Sequence, residues 1–268
     1  VRIFLVRHGM SVANQDWSEN TRVADHAIEL APEGHRQAQA AGNFLSEYFA
    51  KHLTSETHVT GLLKSDPDAR RIPKIRLWHS PYKRTRQTAA GIVETCRLPH
   101  GAAIDGAETR TKGMSWFLDQ REHLLLHEQQ FGVFDGLSDE EREKHYPREQ
   151  AYYEKCKKFE GKMWPKMPQG ESRIDVCMRV HQAFGTFHRD AQKHGIENIV
   201  VVGHGTTNRA FLQMWLHKPW EWMHQEPNPT NCSVRLIEDS EDKGYIFDQF
   251  DHPEGFIHDH GPNHEANE

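Results

Sequence analysis

Arg2-Ile3-Phe4-Leu5-Val6-Arg7-His8-Gly9 places a run of strand-forming residues directly against an Arg-His-Gly tripeptide. A second stretch of the same kind, Ile199-Val200-Val201-Val202-Gly203-His204-Gly205, lies far along the chain. Short apolar runs rich in β-branched residues and cut off by glycine read as buried strands. In an open parallel α/β sheet, ligand sites form beyond the carboxyl ends of the strands. His8 and His204 therefore belong at one edge, where one imidazole can serve as nucleophile and the other as a charge-bearing partner.

Between these two runs the pattern alternates. Ile75-Arg76-Leu77-Trp78-His79 reads as another strand, and Val234-Arg235-Leu236-Ile237 as a late one. Pro32-Glu33-Gly34 opens a helix whose Ala38, Ala41, Phe44, Leu45 and Tyr48 share one face. Ser80-Pro81 reads as an N-cap followed by a first-turn proline, starting a helix that runs through Thr88 to Val93. Further helices are expected over Asp139–Lys166, Ser172–Lys193 and Thr206–Leu216, while residues 9–31 read as a polar loop over the site. Alternating strands and helices predict an α/β fold, a three-layer sandwich around a mostly parallel central sheet with helices on both faces. Residues 1–251 read as one domain, with insertions at about 54–73, 97–127 and 137–169, and 252–268 as a disordered tail.

With 268 residues the chain can bury a core, yet only 36% is hydrophobic and the mean hydropathy is −0.81, so much of it belongs to polar helix and loop. A net charge of −6 argues against nucleic-acid or anionic-membrane binding, so any anion site must be a local cluster of Arg and His. No apolar stretch has the length of a membrane span, and the opening run is too short for a signal peptide. Cys96, Cys156, Cys177 and Cys232 have neither metal-site nor disulfide-scaffold spacing, which points to a reducing, cytoplasmic setting. His258, Asp259, His260 and His264 in the tail are metal-liking groups without a supporting shell, so neither a metal nor a cofactor is expected.

The strand ends bring chemistry together. Arg7 adjoins His8, and Arg84 sits in the first turn of the helix that follows Ile75–His79. A helix N-terminus favours anions, and a planar guanidinium grips phosphate oxygens in pairs. Phosphoryl transfer to a histidine needs a neutral ring in one tautomer, fixed cationic donors and a proton for the leaving oxygen. Arg7, His8, Arg84 and His204 supply all but the last.

These residues, with Ser11, Asn14, the segment Leu30–Ala38, Ser80–Thr88, Glu128-Gln129-Gln130-Phe131-Gly132, Gly170-Glu171-Ser172 and Arg209, fall in an order that resembles the histidine phosphatase superfamily, also called phosphoglycerate mutase-like. The resemblance covers most of the chain. It implies His8 as the residue that becomes phosphohistidine, with Arg7, Arg84 and His204 holding the phosphoryl group and His204 protonated once the site is loaded. Asn14 would bind the phosphate or the substrate beside it. Glu128 would be the acid that protonates the leaving alcohol and then the base that activates water, with Glu122 and Asp135 as fallbacks. Ser11 and Glu171 would support the site from behind. Lys83 and Arg86 lie on other faces of the Arg84 helix and read as solvated surface.

Met10 departs from the polar residue common after the Arg-His-Gly motif. The three insertions would roof the pocket and choose the substrate. The reaction implied is metal-independent hydrolysis of a small phosphomonoester, with phosphoglycerate mutase-type transfer as the alternative. Glycolytic mutases carry an Arg-Arg pair after the Glu motif, whereas Leu137–Lys144 holds only Arg142 among acids. A binding protein that kept the fold without the chemistry is disfavoured, because no member of the catalytic set is missing. Substrate identity and oligomeric state stay open.

Overall fold

A computed structural model describes residues 1–53, 73–98 and 114–249. The expected insertion at 54–73 lies outside them except for Pro73, as does the tail with its histidines. In chain order the elements are β1 (Arg2–Arg7), α1 (Val12–Gln15), α2 (Glu19–Arg22), α3 (Pro32–His52), β2 (Ile75–His79), α4 (Lys83–Thr95) and β3 (Phe117–Glu122). There follow α5 (Asp139–His145), α6 (Pro147–Glu160), α7 (Arg173–His194), β4 (Asn198–Gly203), α8 (Gly205–Trp215), α9 (Trp222–Gln225), β5 (Val234–Glu238) and β6 (Glu241–Phe247).

The six strands form one sheet in the order β3-β2-β4-β1-β5-β6. β3, β2, β4 and β1 are parallel, while β5 runs antiparallel to β1 and β6 antiparallel to β5. The alternation of β1 splits between two cores. Phe4 and Val6 pack with Ala38, Leu45 and Phe49 of α3 and Ala89 and Ile92 of α4. Ile3 and Leu5 pack with Val180, Phe184 and Phe187 of α7 and Phe211 of α8. Covering both faces makes the three-layer α/β sandwich, and each fully buried Val, Leu, Ile or Phe side chain is worth roughly 1.5–3 kcal/mol.

Register then positions the site. Arg7 pairs with Gly203 and His79 with Val202, so β1, β4 and β2 end level with one another. The His8 N–H donates to the Gly203 carbonyl (3.0 Å) and the Ser80 N–H to that of Val202 (3.1 Å), which carries the ladder one residue past each strand.

Several sequence expectations change. Ser80 does not cap the helix: α4 begins at Lys83 with Tyr82 as its N-cap, because the chain stays extended through Ser80 to satisfy the ladder. Residues 9–31 are not all loop. Ser11 caps α1 in a reciprocal pair with Asn14, and α2 follows. The segment 97–127, read as an insertion, contributes β3, whose run Phe-Leu-Asp-Gln-Arg-Glu is too polar to look like a strand but suits a sheet edge. β6, at the opposite edge and also polar, escaped notice for the same reason. The helix expected over Asp139–Lys166 is two, broken at Tyr146-Pro147, where proline can only start a new helix. Among the described residues no helix is long and apolar enough to cross a membrane, and all four cysteines are free.

Candidate active site

The level ends of β1, β2 and β4 open into a cavity of about 430 Å³ lined by His8, Ser11, Asn14, Arg84 and Glu128, among others. His8 is 95% buried, and its Nδ1 lies 2.8 Å from the Gly9 carbonyl. A carbonyl only accepts, so Nδ1 carries the proton and Nε2 carries the lone pair. Backbone crowding holds this turn: a Cβ on Gly9 would run into the Gly34 carbonyl, and one on Gly34 into that of Met10. Gly9 N–H donates to Thr88 Oγ1 (3.0 Å) and Met10 N–H to Gln37 Oε1 (2.8 Å), so α3 and α4 brace the loop that carries His8.

The His204 ring stands edge-to-face to that of His8, with centroids 5.3 Å apart. Its Nε2 meets Ser80 Oγ at 2.7 Å. Complete burial, then the charges of Arg84 and His8, push its pKa well below the ordinary histidine value, which favours the neutral ring. Arg7, buried at the end of β1, donates through Nη1 to the Pro229 carbonyl (2.7 Å). Arg84 donates through Nη1 to the carbonyl (2.6 Å) and carboxylate (2.8 Å) of Asp25, and its guanidinium lies over the Tyr82 ring.

Glu128 sits against the N-terminus of α8. Its carboxylate accepts from the N–H groups of Gln129 (2.9 Å), Thr206 and Thr207 (both 3.2 Å) and from the Thr207 hydroxyl (3.2 Å). Gly205 leaves room for the Asn228 side chain, since a Cβ there would lie 2.8 Å from Asn228 Oδ1.

Asn14 and Ser11 both line the cavity, and Asn14 Oδ1 accepts from the Ser11 N–H (3.0 Å). Glu171 is not brought to the cavity wall. Its carboxylate binds the Arg179 guanidinium through both oxygens (2.7 and 3.0 Å) and accepts from the Gln130 N–H. Arg179 in turn donates to the carbonyls of Leu125 and Glu128 (2.8 and 3.0 Å), so the pair fixes the segment that carries Glu128. Of the fallback acids, Glu122 ends β3 in an ion pair with Arg86. Asp135 lines the cavity, where lost hydration and the Asp25 carboxylate push its pKa up to about 6. Lys83 pairs with Glu29 at the surface. Arg209 lines the cavity and donates to the Glu226 carbonyl (3.1 Å).

Sequence reading missed four contributors. Ser80 orients His204, Thr207 holds Glu128, Asp25 engages Arg84, and Asn231 Nδ2 donates to the His8 carbonyl (2.9 Å). Only Ser80 carried a signal, through its place at a strand end. Among the described residues no group of His, Cys, Asp or Glu is arranged to hold a metal ion.

The family model of the histidine phosphatase superfamily (branch 1) matches residues 67–251, a span that includes Arg84, Glu128 and His204. The chain belongs to this superfamily. It is 30% identical over 246 residues to phosphoglycerate mutase-like protein AT74 of Arabidopsis thaliana, a match that covers 88% of this chain and 64% of that protein. It is 25% identical to the broad-range acid phosphatase DET1 of Saccharomyces cerevisiae, over 88% of this chain and 84% of the relative. The fold of this histidine phosphatase superfamily member also resembles a putative alpha-ribazole-5'-P phosphatase from Escherichia coli, with a TM-score of 0.59 at 17% identity over 91% and 95% of the two chains. A mycobacterial glucosyl-3-phosphoglycerate phosphatase aligns with a TM-score of 0.57 at 20% identity over 88% and 90%.

Proposed function

We propose that this chain is a metal-independent phosphomonoester hydrolase working through a phosphohistidine on His8. Arg7, Arg84 and His204 bind the phosphoryl oxygens, and Asn14 lies beside them. His8 Nε2 attacks phosphorus, the bond to the ester oxygen breaks, and Glu128 gives its proton to the leaving alcohol. Glu128, now a carboxylate, takes a proton from water. That water attacks phosphorus, the P–N bond breaks, and inorganic phosphate leaves with His8 restored. In the loaded site the phosphate charge opposes the effects that keep His204 neutral, so His204 gains a proton as substrate binds.

One observation carries this reading: the His8 Nδ1 contact to Gly9, which leaves Nε2 as a lone-pair nitrogen in a cavity shared with Arg84 and Glu128. The guanidiniums supply the fixed positive charge that phosphoryl transfer requires. Hydrolysis is favoured over mutase-type transfer because Leu137–Lys144 holds a single guanidinium, Arg142, where glycolytic mutases carry an Arg-Arg pair.

The test is rapid quenching with a radiolabelled phosphomonoester in the presence of EDTA. Wild type yields an acid-labile, alkali-stable phosphoprotein and releases phosphate, and His8→Ala yields neither. Label on His8→Ala, or turnover lost to the chelator, sinks the mechanism. Isomerisation of 3-phosphoglycerate faster than phosphate release would make the enzyme a mutase.

A further inference from the structure

A helix on the surface of a soluble domain buries its apolar stripe and wets its polar one. α6 does the reverse. Its inward positions are Gln150, which is buried, and Tyr153 and Lys157, which line the cavity. Tyr152, Cys156 and Phe159 follow one another at helical spacing on the outward face, where Tyr152 is 68% and Phe159 75% exposed. The face continues past the helix end. Trp164 meets Trp220, from the segment between α8 and α9, with ring centroids 6.3 Å apart, and the two are 45% and 42% exposed. A Cβ on Gly161 would lie 3.7 Å from the Trp220 ring, so the end of α6 and the tryptophan pair form one surface. Large aromatic side chains left in water on adjoining elements mark a binding face.

The charges on this face have a particular character. From Lys155 to Lys166 every cation is a lysine, and Glu160 is the one acid. Lys157 and Lys166 are taken up by Glu154 and Asp175, while Lys155 and Lys158 are exposed beside the aromatic stripe. Lys158 Nζ lies 5.8 Å from the centre of the Phe159 ring. Near Trp220, Lys218 and Glu221 offset each other.

That composition selects the occupant. Interfaces between proteins are poor in lysine and draw on arginine. A two-fold contact with a second copy would set lysine against lysine. Single-stranded nucleic acid takes aromatic platforms inside a basic groove, whereas side chains as exposed as Tyr152 and Phe159 stand above the surface. Tryptophan and phenylalanine beside lysine suit a bilayer interface, with rings at headgroup level and ammonium groups on anionic lipid. The net charge of −6 does not oppose this, because charges beyond about 8–10 Å are screened in physiological salt and the local sum decides.

We infer that the outer face of α6, together with Trp164 and Trp220, docks this protein on an anionic lipid bilayer. The aromatic rings enter the headgroup layer, and Lys155 and Lys158 meet the lipid charge. Pro165, next to Trp164, lines the cavity, so docking holds the cavity beside the membrane. The docking face goes beyond the proposed reaction and does not depend on it.

Vesicle co-sedimentation of the full chain is the test. Wild type should bind phosphatidylcholine vesicles containing phosphatidylserine about tenfold or more tightly than phosphatidylcholine alone, since each lysine near an anionic surface contributes about fivefold. Added salt should weaken that binding. Replacing both lysines (Lys155→Gln with Lys158→Gln) should cost about tenfold or more on the anionic vesicles. Phe159→Ser should cost about tenfold by removing a ring from the interface. These positions are exposed, so each variant should melt as wild type does. Tryptophan emission should shift to the blue on vesicle binding, and less so in the variant carrying Trp164→Phe and Trp220→Phe. Equal binding to neutral and anionic vesicles, or binding unmoved in both the lysine variant and Phe159→Ser, overturns the inference. So does a dimer that Phe159→Ser dissociates, which would make the face a contact between copies. Binding of a single-stranded oligonucleotide that the same variants abolish would overturn it as well. Vesicle binding needs no turnover, so failure of the His8 mechanism leaves this result untouched.

Discussion

The floor and the roof of the cavity are held by different forces. On the floor, His8, Ser80 and His204 follow three neighbouring parallel strands, and backbone bonds to Gly203 and Val202 fix their heights. A slip by one residue would reverse every side chain on β1 and exchange the residues packed into its two cores, so the placement of His8 is tied to the whole core. The roof, from His123 to Ser172 and again over α9, has no ladder. Side chains and scattered backbone bonds hold it instead: the Arg179–Glu171 pair under Glu128, the capping boxes of α5 and α7, and the Val133 and Glu171 N–H groups on the carbonyls of Pro168 and Gln130, where Gly132 lies close against residues 168–170. Gly132 adopts φ 61°, which glycine enters without strain. Under the proposed reaction, the chemistry would rest on the ladder and the choice of substrate on the roof.

The largest effect expected is on the floor. His8→Ala should lower kcat by about 10⁴-fold or more while the protein melts as a folded species, because removing one member of a catalytic unit forfeits most of its joint effect. A loss under tenfold would mean that the floor does not carry the reaction. Next comes the roof's main tie. Arg179→Met strands the Glu171 carboxylate and should cost about 3–5 kcal/mol in denaturant unfolding. If stability barely moves, the roof is held by something other than this pair.

Glu128→Gln keeps the shape and removes the proton. It should lower kcat by about 10³-fold for alkyl phosphates and much less for p-nitrophenyl phosphate, whose leaving group needs no acid. Equal losses on both would point to misplacement of the roof segment rather than to acid catalysis.

A smaller effect is set by pH. His204 keeps its proton off in the folded protein and takes one at about 6.5 when unfolded, so below that value the unfolded state binds more protons. Burial of His79, His123 and His127 pushes in the same direction. Stability should therefore fall as pH drops below 6.5, by up to about 1.4 kcal/mol per pH unit for each such group. His204→Gln should flatten the profile, measured as urea midpoints between neutral and acid pH, and an unchanged slope would remove His204 as a cause. Inorganic phosphate should oppose the acid loss, since it favours the charged ring. The smallest test is Ser172→Ala, which opens the capping box of α7 and should cost about 1 kcal/mol without altering the response to leaving group.

Much of the fold was legible because strongly periodic apolar runs leave few alternatives. The four strands expected from sequence all form, α3 opens at Pro32 as expected, and α7 and α8 differ from their expected bounds by about one residue at the ends. β3 and β6 were hidden because edge strands need only a partner's backbone, and Asp119, Glu122, Asp242 and Lys243 do not announce a sheet. The site divides in the same way. Arg7, His8, Arg84 and His204 could be placed together from strand ends alone. The partner of Arg84, the seat of Glu128 on α8 and the pairing of Glu171 with Arg179 could not.

By itself, then, the sequence determined where the two histidines stand, because hydrophobic alternation and a glycine after each strand leave His8 and His204 only one edge to occupy. The tertiary structure alone decided that Ser80 serves His204 rather than a helix end, that Glu171 steadies Glu128 from behind, and that Asp25 engages Arg84. Each of those outcomes is a contact between segments brought together by folding, and local pattern carries no information about which charge meets which.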